Sequence, residues 1–243
     1  MNLEVEKTYT FSLEDSKDII KTLTLLDCSV ENVHLKKSKV TNALHIIISD
    51  ERKNYKNRIK ILLSDNPNNP VEIIYSPKVR ISNIEEVLQT YLEENVLINE
   101  TNNHFFFPLN IHVKAIYFKK KLKLIYNINK SKIIVAVDQI SAINPLNIKQ
   151  KTDSYYNMEI EGKDSIEIDN VLNILLPTHR DHIRIIGVNE SKEVIASLYC
   201  PTDTILQFLS IDSLISYARD VKDICIAHFD DIYSISISEN YRS

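Results

Sequence analysis

Apolar and polar residues alternate along most of the chain with the two-residue period that is typical of β-strands. The alternating runs are rich in Ile, Val and Tyr, and short polar segments separate many of them. Before residue 165 these runs cover residues 3–11, 30–40, 43–51, 57–65, 71–77, 111–121, 121–128, 132–140 and 155–162. So many strands with few helices between them predict a strongly curved or closed antiparallel sheet.

Two segments interrupt the strands with helical spacing. Residues 12–26 begin with Ser12 and carry Asp15 three positions later, which is an N-cap arrangement. Residues 82–97 also begin with capping residues, followed by acidic residues in the first turn.

The pattern changes after residue 165. A short helix, a β-hairpin from residues 182–188 and 193–200, a helix around 212–219 and strands at 224–229 and 233–239 are predicted there. Pro177 and the polar residues after it predict a boundary between residues 1–176 and residues 177–243. The second part is either a C-terminal extension of the main sheet or a small α+β module.

Composition and net charge exclude several classes of function. The chain has 243 residues and 44% hydrophobic residues, which predicts a globular protein with a core. Its net charge of −4 gives no reason to expect general affinity for nucleic acid or membranes. No apolar run is long enough to span a bilayer, and no secretory signal is evident, so we expect a cytoplasmic protein. With only two glycines, P-loop and Rossmann phosphate sites are excluded.

Charged residues occur as like-charged pairs at alternate positions of the predicted strands. The pairs are Glu4 and Glu6, Arg58 and Lys60, Lys78 and Arg80, Lys121 and Lys123, and Glu159 and Glu161. Side chains two positions apart share one face of a strand. A solvated outer face explains any one pair, but such faces usually mix the signs of charge because like charges repel. The alternative is a polar interior, in which carboxylates hold a divalent cation and basic pairs hold a polyanion.

Three segments carry a family resemblance. Residues 3–11, "LEVEKTYTF", resemble the N-terminal ExExK strand of the CYTH family, the triphosphate tunnel metalloenzymes that include class IV adenylate cyclases and thiamine triphosphatases. Residues 121–140, "KLKLIYNINKSKIIVAVDQI", resemble the family's K-x-R-x-x-Y strand, hairpin tip and following acidic strand. Residues 155–162, "YYNMEIEG", resemble its late acidic strand, and the three segments occur in the family's order.

The resemblance implies an α+β fold in which an antiparallel eight-stranded β-barrel forms a tunnel, with flanking helices, over residues 1–176. Mg²⁺ or Mn²⁺ would be held by carboxylates at one side, namely Glu4, Glu6, Asp138, Glu159 and Glu161. Phosphate groups would be held by the basic residues Arg58, Lys60, Lys78, Lys121 and Lys123. The resemblance also implies Glu6 or Glu159 as the catalytic carboxylate that orients the attacking water.

The implied function is metal-dependent hydrolysis of a triphosphate compound, such as tripolyphosphate, thiamine triphosphate or a nucleoside triphosphate. The 5′-triphosphate end of RNA and cyclisation of ATP fit the same tunnel and rank next. Two residues depart from the family pattern. Ile116 stands where one alignment has arginine. The second departure is Thr8, which stands where the family has lysine, while Lys7 points to the opposite face. This departure favours a further alternative, a catalytically inactive module that binds a triphosphate or a nucleotide. Oligomeric state has no signal in the sequence.

Overall fold

The protein is described here by a computed structural model. It describes residues 5–25, 32–48, 55–64, 71–79, 108–187 and 190–227, without the side chains of 55–57 and 75–79. Predicted segments 82–97 and 233–239 and the predicted site residue Glu4 lie outside this description, as does Arg80.

One antiparallel sheet organises the described residues. Its strands are β1 (Val5–Phe11), β2 (Val33–Ile48), β3 (Tyr55–Leu63), β4 (Glu72–Val79), β5 (Leu109–Ile128), β6 (Ser131–Asn144), β7 (Asn147–Lys151), β8 (Tyr155–Gly162), β9 (Arg184–Ile185) and β10 (Ile205–Phe208). The main path through the sheet is β4-β3-β2-β5-β6-β8-β1-β9, while β10 pairs with β5 and β7 with β6. The predicted antiparallel sheet is confirmed. Its described strands do not close into a barrel, because β4 and β9 remain as two ends.

Two strands are longer than predicted. The sequence predicts separate strands at 30–40 and 43–51, whereas β2 runs through both, with a register shift between Leu35 and Lys37. Residues 111–121 and 121–128 are likewise joined in β5. The turn predicted at residues 127–132 is confirmed, because Asn129 and Lys130 both have positive φ and connect β5 to β6 as a two-residue hairpin.

Four α-helices and a 3₁₀ helix accompany the sheet in the described residues. They are α1 (Leu13–Leu25), α2 (Ser165–Leu175), the 3₁₀ helix Pro177–His182, α3 (Lys192–Leu198) and α4 (Ile211–Ile226). The predicted cap of α1 is confirmed, since the Ser12 hydroxyl accepts a hydrogen bond of 3.1 Å from the Asp15 N–H. None of these helices is long and apolar enough to span a membrane.

The two faces of the sheet are covered differently. On the convex face, α1 and α2 bury residues such as Leu23 and Leu172 against Leu122 and Leu124 of β5. Helix α4 packs on the same face against β2, β3 and β5. Helix α3 instead lies on the concave face, where Ala196 is fully buried in a separate apolar cluster.

The sequence predicts a strand where the structure has α3, and this prediction is wrong. Residues 193–200 contain Val194, Ile195 and Leu198, whose spacing also fits one helical turn, and a short apolar run does not distinguish the two periods. Residues 224–226, predicted as strand, belong to α4. Strands β9 and β10, from the same C-terminal part, pair with β1 and β5.

Candidate functional site

The concave face of the sheet encloses a cavity of about 520 Å³. Side chains from β3 and from β1 line it together, although β2, β5, β6 and β8 separate these strands in the sheet. The sheet is therefore strongly curved. The basic residues that line the cavity are Arg58, Lys60, Lys119, Lys121 and Lys192. The acidic ones are Glu6, Glu159, Glu161 and Glu193.

Strand register explains why these charges converge. Residues that pair directly across antiparallel strands point to the same face of the sheet. Lys121 pairs with Asp138, which in turn pairs with Asn157 on β8. On the other side of β5, Lys121 pairs with Thr41 of β2. Among the described side chains, the pairs Arg58 with Lys60 and Glu159 with Glu161, together with Glu6 and Lys121, thus point to the concave face and not to a solvated outer face.

The structure brings most of the predicted site residues together. Those that line the cavity are Glu6, Arg58, Lys60, Lys121, Glu159 and Glu161. Asp138 is fully buried in β6 beside the lining lysines. Lys123 is half-buried in β5 and is not among the residues that line the cavity. Lys78 pairs in register with Lys56, and its side chain lies outside the described ones.

Two carboxylates and three lysines form a buried ion-pair network along one wall of the cavity. The Lys119 ammonium lies 2.9 Å from Asp138, and the Lys121 ammonium lies 2.9 Å from Glu159 and 3.7 Å from Asp138. Lys192, from the first turn of α3, lies 3.6 Å from Asp138 and makes a shorter ion pair with Glu159. We call these five residues the lysine wall.

Burial and the neighbouring charges shift the pKa values of Glu159, Lys192 and Lys119. Burial opposes ionisation of Glu159, but the ammonium groups of Lys192, Lys119 and Lys121 outweigh it and hold its pKa well below the usual value. Burial also opposes the charge of Lys192, but Glu159 and Asp138 raise its pKa well above the usual value. Burial lowers the pKa of Lys119 to about 8, in spite of the Asp138 carboxylate. Glu159 is therefore ionised at neutral pH and is a weak proton acceptor.

His45 adds an uncharged polar group to the cavity. Its ring stacks on Tyr117 with a centroid distance of 4.7 Å, and the residue is 1% exposed. Within the described part of the chain, neither ring nitrogen has a hydrogen-bond partner. Burial, together with Lys119 and Arg58, lowers the imidazole pKa well below the usual value. A neutral imidazole offers one nitrogen that can accept a hydrogen bond from a ligand or water.

A second acidic feature lies next to the lysine wall, two positions further along β8. Glu6 of β1 pairs directly with Glu161 of β8, and both side chains line the cavity. Among the described residues, no group of three or more His, Cys, Asp or Glu side chains is arranged to hold a metal ion. Two carboxylates fit Mg²⁺ or Mn²⁺ when phosphate oxygens and water complete the coordination, as is usual for Mg²⁺ at phosphate sites. The oxygens of Glu159 differ, because lysine ammonium groups occupy both of them.

Three residues of the site were missed by the sequence analysis. Lys119 lies two positions before Lys121, so the alternation rule that selected Lys121 could have found it. His45 lines the cavity from β2, but the apolar residues around it in the sequence predict an ordinary core strand. Lys192 has no local signal, because its position in the cavity depends on α3 packing against the concave face.

Comparisons with known proteins give low similarity throughout. No family model and no curated protein sequence matches the chain. Among solved structures, the PH1012 protein of Pyrococcus horikoshii aligns at 10% identity over 82% of this chain and 100% of its own, with a TM-score of 0.32. HpAC1 of Hippeastrum, described as a putative adenylyl cyclase with a dominant triphosphatase activity, aligns at 9% identity over 82% and 97%, with a TM-score of 0.40.

The Pct1 RNA triphosphatase of S. pombe, solved with the Spt5 CTD, aligns at 14% identity over 71% of this chain and 64% of its own, with a TM-score of 0.33. These neighbours include a triphosphatase and an RNA triphosphatase. At these identities and TM-scores, the alignments do not assign a function to this chain.

Proposed function

We propose that the protein binds a triphosphate-containing small molecule in the concave cavity and hydrolyses it with the help of Mg²⁺ or Mn²⁺. One observation carries this proposal. Five basic side chains from β3, β5 and α3 converge on one cavity of about 520 Å³, which the Glu6–Glu161 carboxylate pair also lines. A fully ionised triphosphate needs several cations when it leaves water, because an unpaired buried charge is strongly unfavourable.

The basic residues have distinct parts in binding. The Arg58 guanidinium suits bidentate contact with a phosphate group, whereas Lys60 and Lys121 act as point charges. Burial and the neighbouring charges of Arg58 and Lys121 lower the pKa of Lys60. A bound polyanion would relieve this repulsion, so ligand binding would favour the protonated form of Lys60.

The divalent ion would be held by Glu6 and Glu161, which pair directly across β1 and β8, both line the cavity and offer hard carboxylate oxygens. When bound, the ion supplies charge neutralisation at the phosphate oxygens. Arg58, Lys60 and Lys121 hold the polyphosphate in one orientation and stabilise the charge that develops on the departing oxygen. We assign the orientation of the attacking water to Glu6, which lines the cavity. The Glu159 carboxylate instead accepts hydrogen bonds from the ammonium groups of Lys121 and Lys192.

The charges in the cavity favour a substrate that carries a triphosphate group. Tripolyphosphate, thiamine triphosphate and nucleoside triphosphates rank first. Hydrolysis at the 5′-triphosphate end of RNA and cyclisation of ATP rank after them. The barrel closure that the resemblance implies belongs to the same proposal, because a closed tunnel would shield the phosphates from water.

The direct test is a turnover assay. The protein is incubated with tripolyphosphate, thiamine triphosphate or ATP, with Mg²⁺, Mn²⁺ or EDTA, and phosphate, pyrophosphate and cyclic nucleotide are measured. The proposal expects metal-dependent phosphate release that Glu6→Gln abolishes and Glu14→Gln, on the exposed surface of α1, preserves. Turnover that is unchanged in Glu6→Gln would contradict the assigned roles.

A second candidate function is triphosphate binding without turnover. Thr8 lines the cavity at the position where the family motif has lysine, and Lys192 engages the Glu159 carboxylate. Both observations favour a protein that binds the triphosphate but does not catalyse its hydrolysis. A rise in melting temperature with tripolyphosphate, together with no released product under any metal condition, would support this candidate.

A further inference from the structure

The lysine wall has an unusual balance of charge for a site that would hold a divalent cation. Its three ammonium groups, from Lys119, Lys121 and Lys192, outnumber the carboxylates of Asp138 and Glu159. The wall therefore carries a net positive charge. A divalent cation at this wall would meet electrostatic repulsion. Both oxygens of Glu159 and Oδ2 of Asp138 already accept hydrogen bonds from ammonium groups, and Oδ1 of Asp138 lies 3.7 Å from the Lys121 ammonium.

Helix packing places Lys192 in this wall. The residue lies in the first turn of α3, and Ala196, one turn later on the same side of the helix, is fully buried against the concave face. The Lys192 side chain is 13% exposed and reaches between Asp138 and Glu159. Its position is thus set by a buried contact and not by free movement of a surface side chain.

We propose that the Lys192 ammonium group stands in place of a divalent ion on Glu159 and Asp138. This inference rests on the proposed function and deepens it. The polyphosphate binds the lysine wall directly, without a metal ion. Any divalent ion binds to Glu6 and Glu161 and not to Glu159 or Asp138. Lys192 is a specificity-determining residue, because it makes this half of the cavity select an anion over a cation.

Removing the charge of Lys192 should reverse that selection. The wall would then hold two ammonium groups and two carboxylates, and one oxygen of Glu159 would become available as a metal ligand. Lys121 still pairs with Glu159, and Lys119 with Asp138, so neither acid is left alone in the buried site. The variant Lys192→Met keeps most of the side-chain volume, and Lys192→Arg keeps the charge.

The test measures tripolyphosphate binding by isothermal titration calorimetry in EDTA, and Mn²⁺ bound per protein by equilibrium dialysis without polyphosphate. We expect the native chain to bind tripolyphosphate in EDTA and Lys192→Met to lose roughly tenfold or more in affinity, which is typical for loss of a charged hydrogen bond. We expect Lys192→Arg to keep most of the affinity. Lys192→Met should also bind one more Mn²⁺ than the native chain. Lys132→Ala, an exposed lysine of β6, is the charge-matched control.

The outcomes separate this inference from the proposed function. Binding by the native chain only in the presence of metal overturns the role of Lys192 and leaves the proposed function standing, and this result needs no variant to fold. Native affinity in a folded Lys192→Met variant also overturns it. No tripolyphosphate binding by the native chain in either condition contradicts the proposed function itself.

Discussion

Glu6 and Glu161 lie directly opposite each other on β1 and β8, and both side chains line the same cavity. Like charges in directly opposed positions of a sheet destabilise it. The neighbouring acids of the lysine wall, Asp138 and Glu159, form ion pairs with ammonium groups. A cation from solution that binds Glu6 and Glu161 would relieve the repulsion between their carboxylates.

Mn²⁺ is therefore expected to raise the melting temperature of the native protein. Glu161→Gln should remove most of this effect, because it takes away one of two carboxylate ligands and the repulsion that the metal relieves. Thermal denaturation with and without Mn²⁺ measures both. The same stabilisation in Glu161→Gln as in Glu14→Gln would contradict a metal at this pair.

Glu159→Gln should destabilise the protein by about 3 kcal/mol, because it breaks a buried ion pair and leaves Lys121 and Lys192 close together with less compensation. Tripolyphosphate should restore much of the lost stability, because its charges replace the missing carboxylate. Chemical denaturation with and without tripolyphosphate tests both statements. Equal destabilisation in the two conditions would show that the anion does not reach the lysine wall.

Arg58→Ala should weaken tripolyphosphate binding by roughly tenfold or more, as expected for loss of a bidentate, charge-assisted contact. Arg58→Lys should recover only part of the affinity, since an ammonium group cannot make the paired contact. Calorimetric titration gives the affinities. An unchanged affinity in Arg58→Ala, with the fold intact, would remove Arg58 from the binding site.

The buried, neutral imidazole of His45 should make the free energy of unfolding depend on pH in one direction. Its folded pKa lies well below the usual 6.5, so below about pH 6.5 the unfolded chain takes up a proton that the folded chain does not. The free energy of unfolding should therefore fall as the pH decreases, by up to roughly 1.4 kcal/mol per pH unit from this residue. His45→Gln should remove that part of the slope between about pH 6.5 and 5, and His34→Gln, at an exposed position of β2, should keep it. Identical slopes in the native protein and in His45→Gln would contradict a buried neutral imidazole.

Much of the sheet could be predicted because alternation and turn chemistry are local signals. Ser12 marks the start of α1, and Asn129 with Lys130 marks the turn between β5 and β6. The continuity of β2 and β5 could not be predicted, because residues such as Asn42 interrupt the apolar pattern without breaking the strand. The sequence predicts a strand at helix α3, because its seven residues are too few to distinguish the helical period from the strand period.

The candidate site was partly predictable for a related reason. A side chain's face follows from its parity along a strand, so the sequence alone assigns residues such as Arg58 and Glu161 to one surface. Which charges meet within that surface depends on strand order and curvature, and these are long-range properties. The role of Lys192 could not be predicted in this way, since the residue reaches Glu159 from helix α3 and not from a strand of the sheet.

The decisive measurement is a crystal structure of the protein soaked with tripolyphosphate. We expect phosphate density in the concave cavity within hydrogen-bond distance of Arg58, Lys60 and Lys121. An empty cavity at a saturating concentration of tripolyphosphate, or phosphate bound only on the convex face, would contradict this expectation.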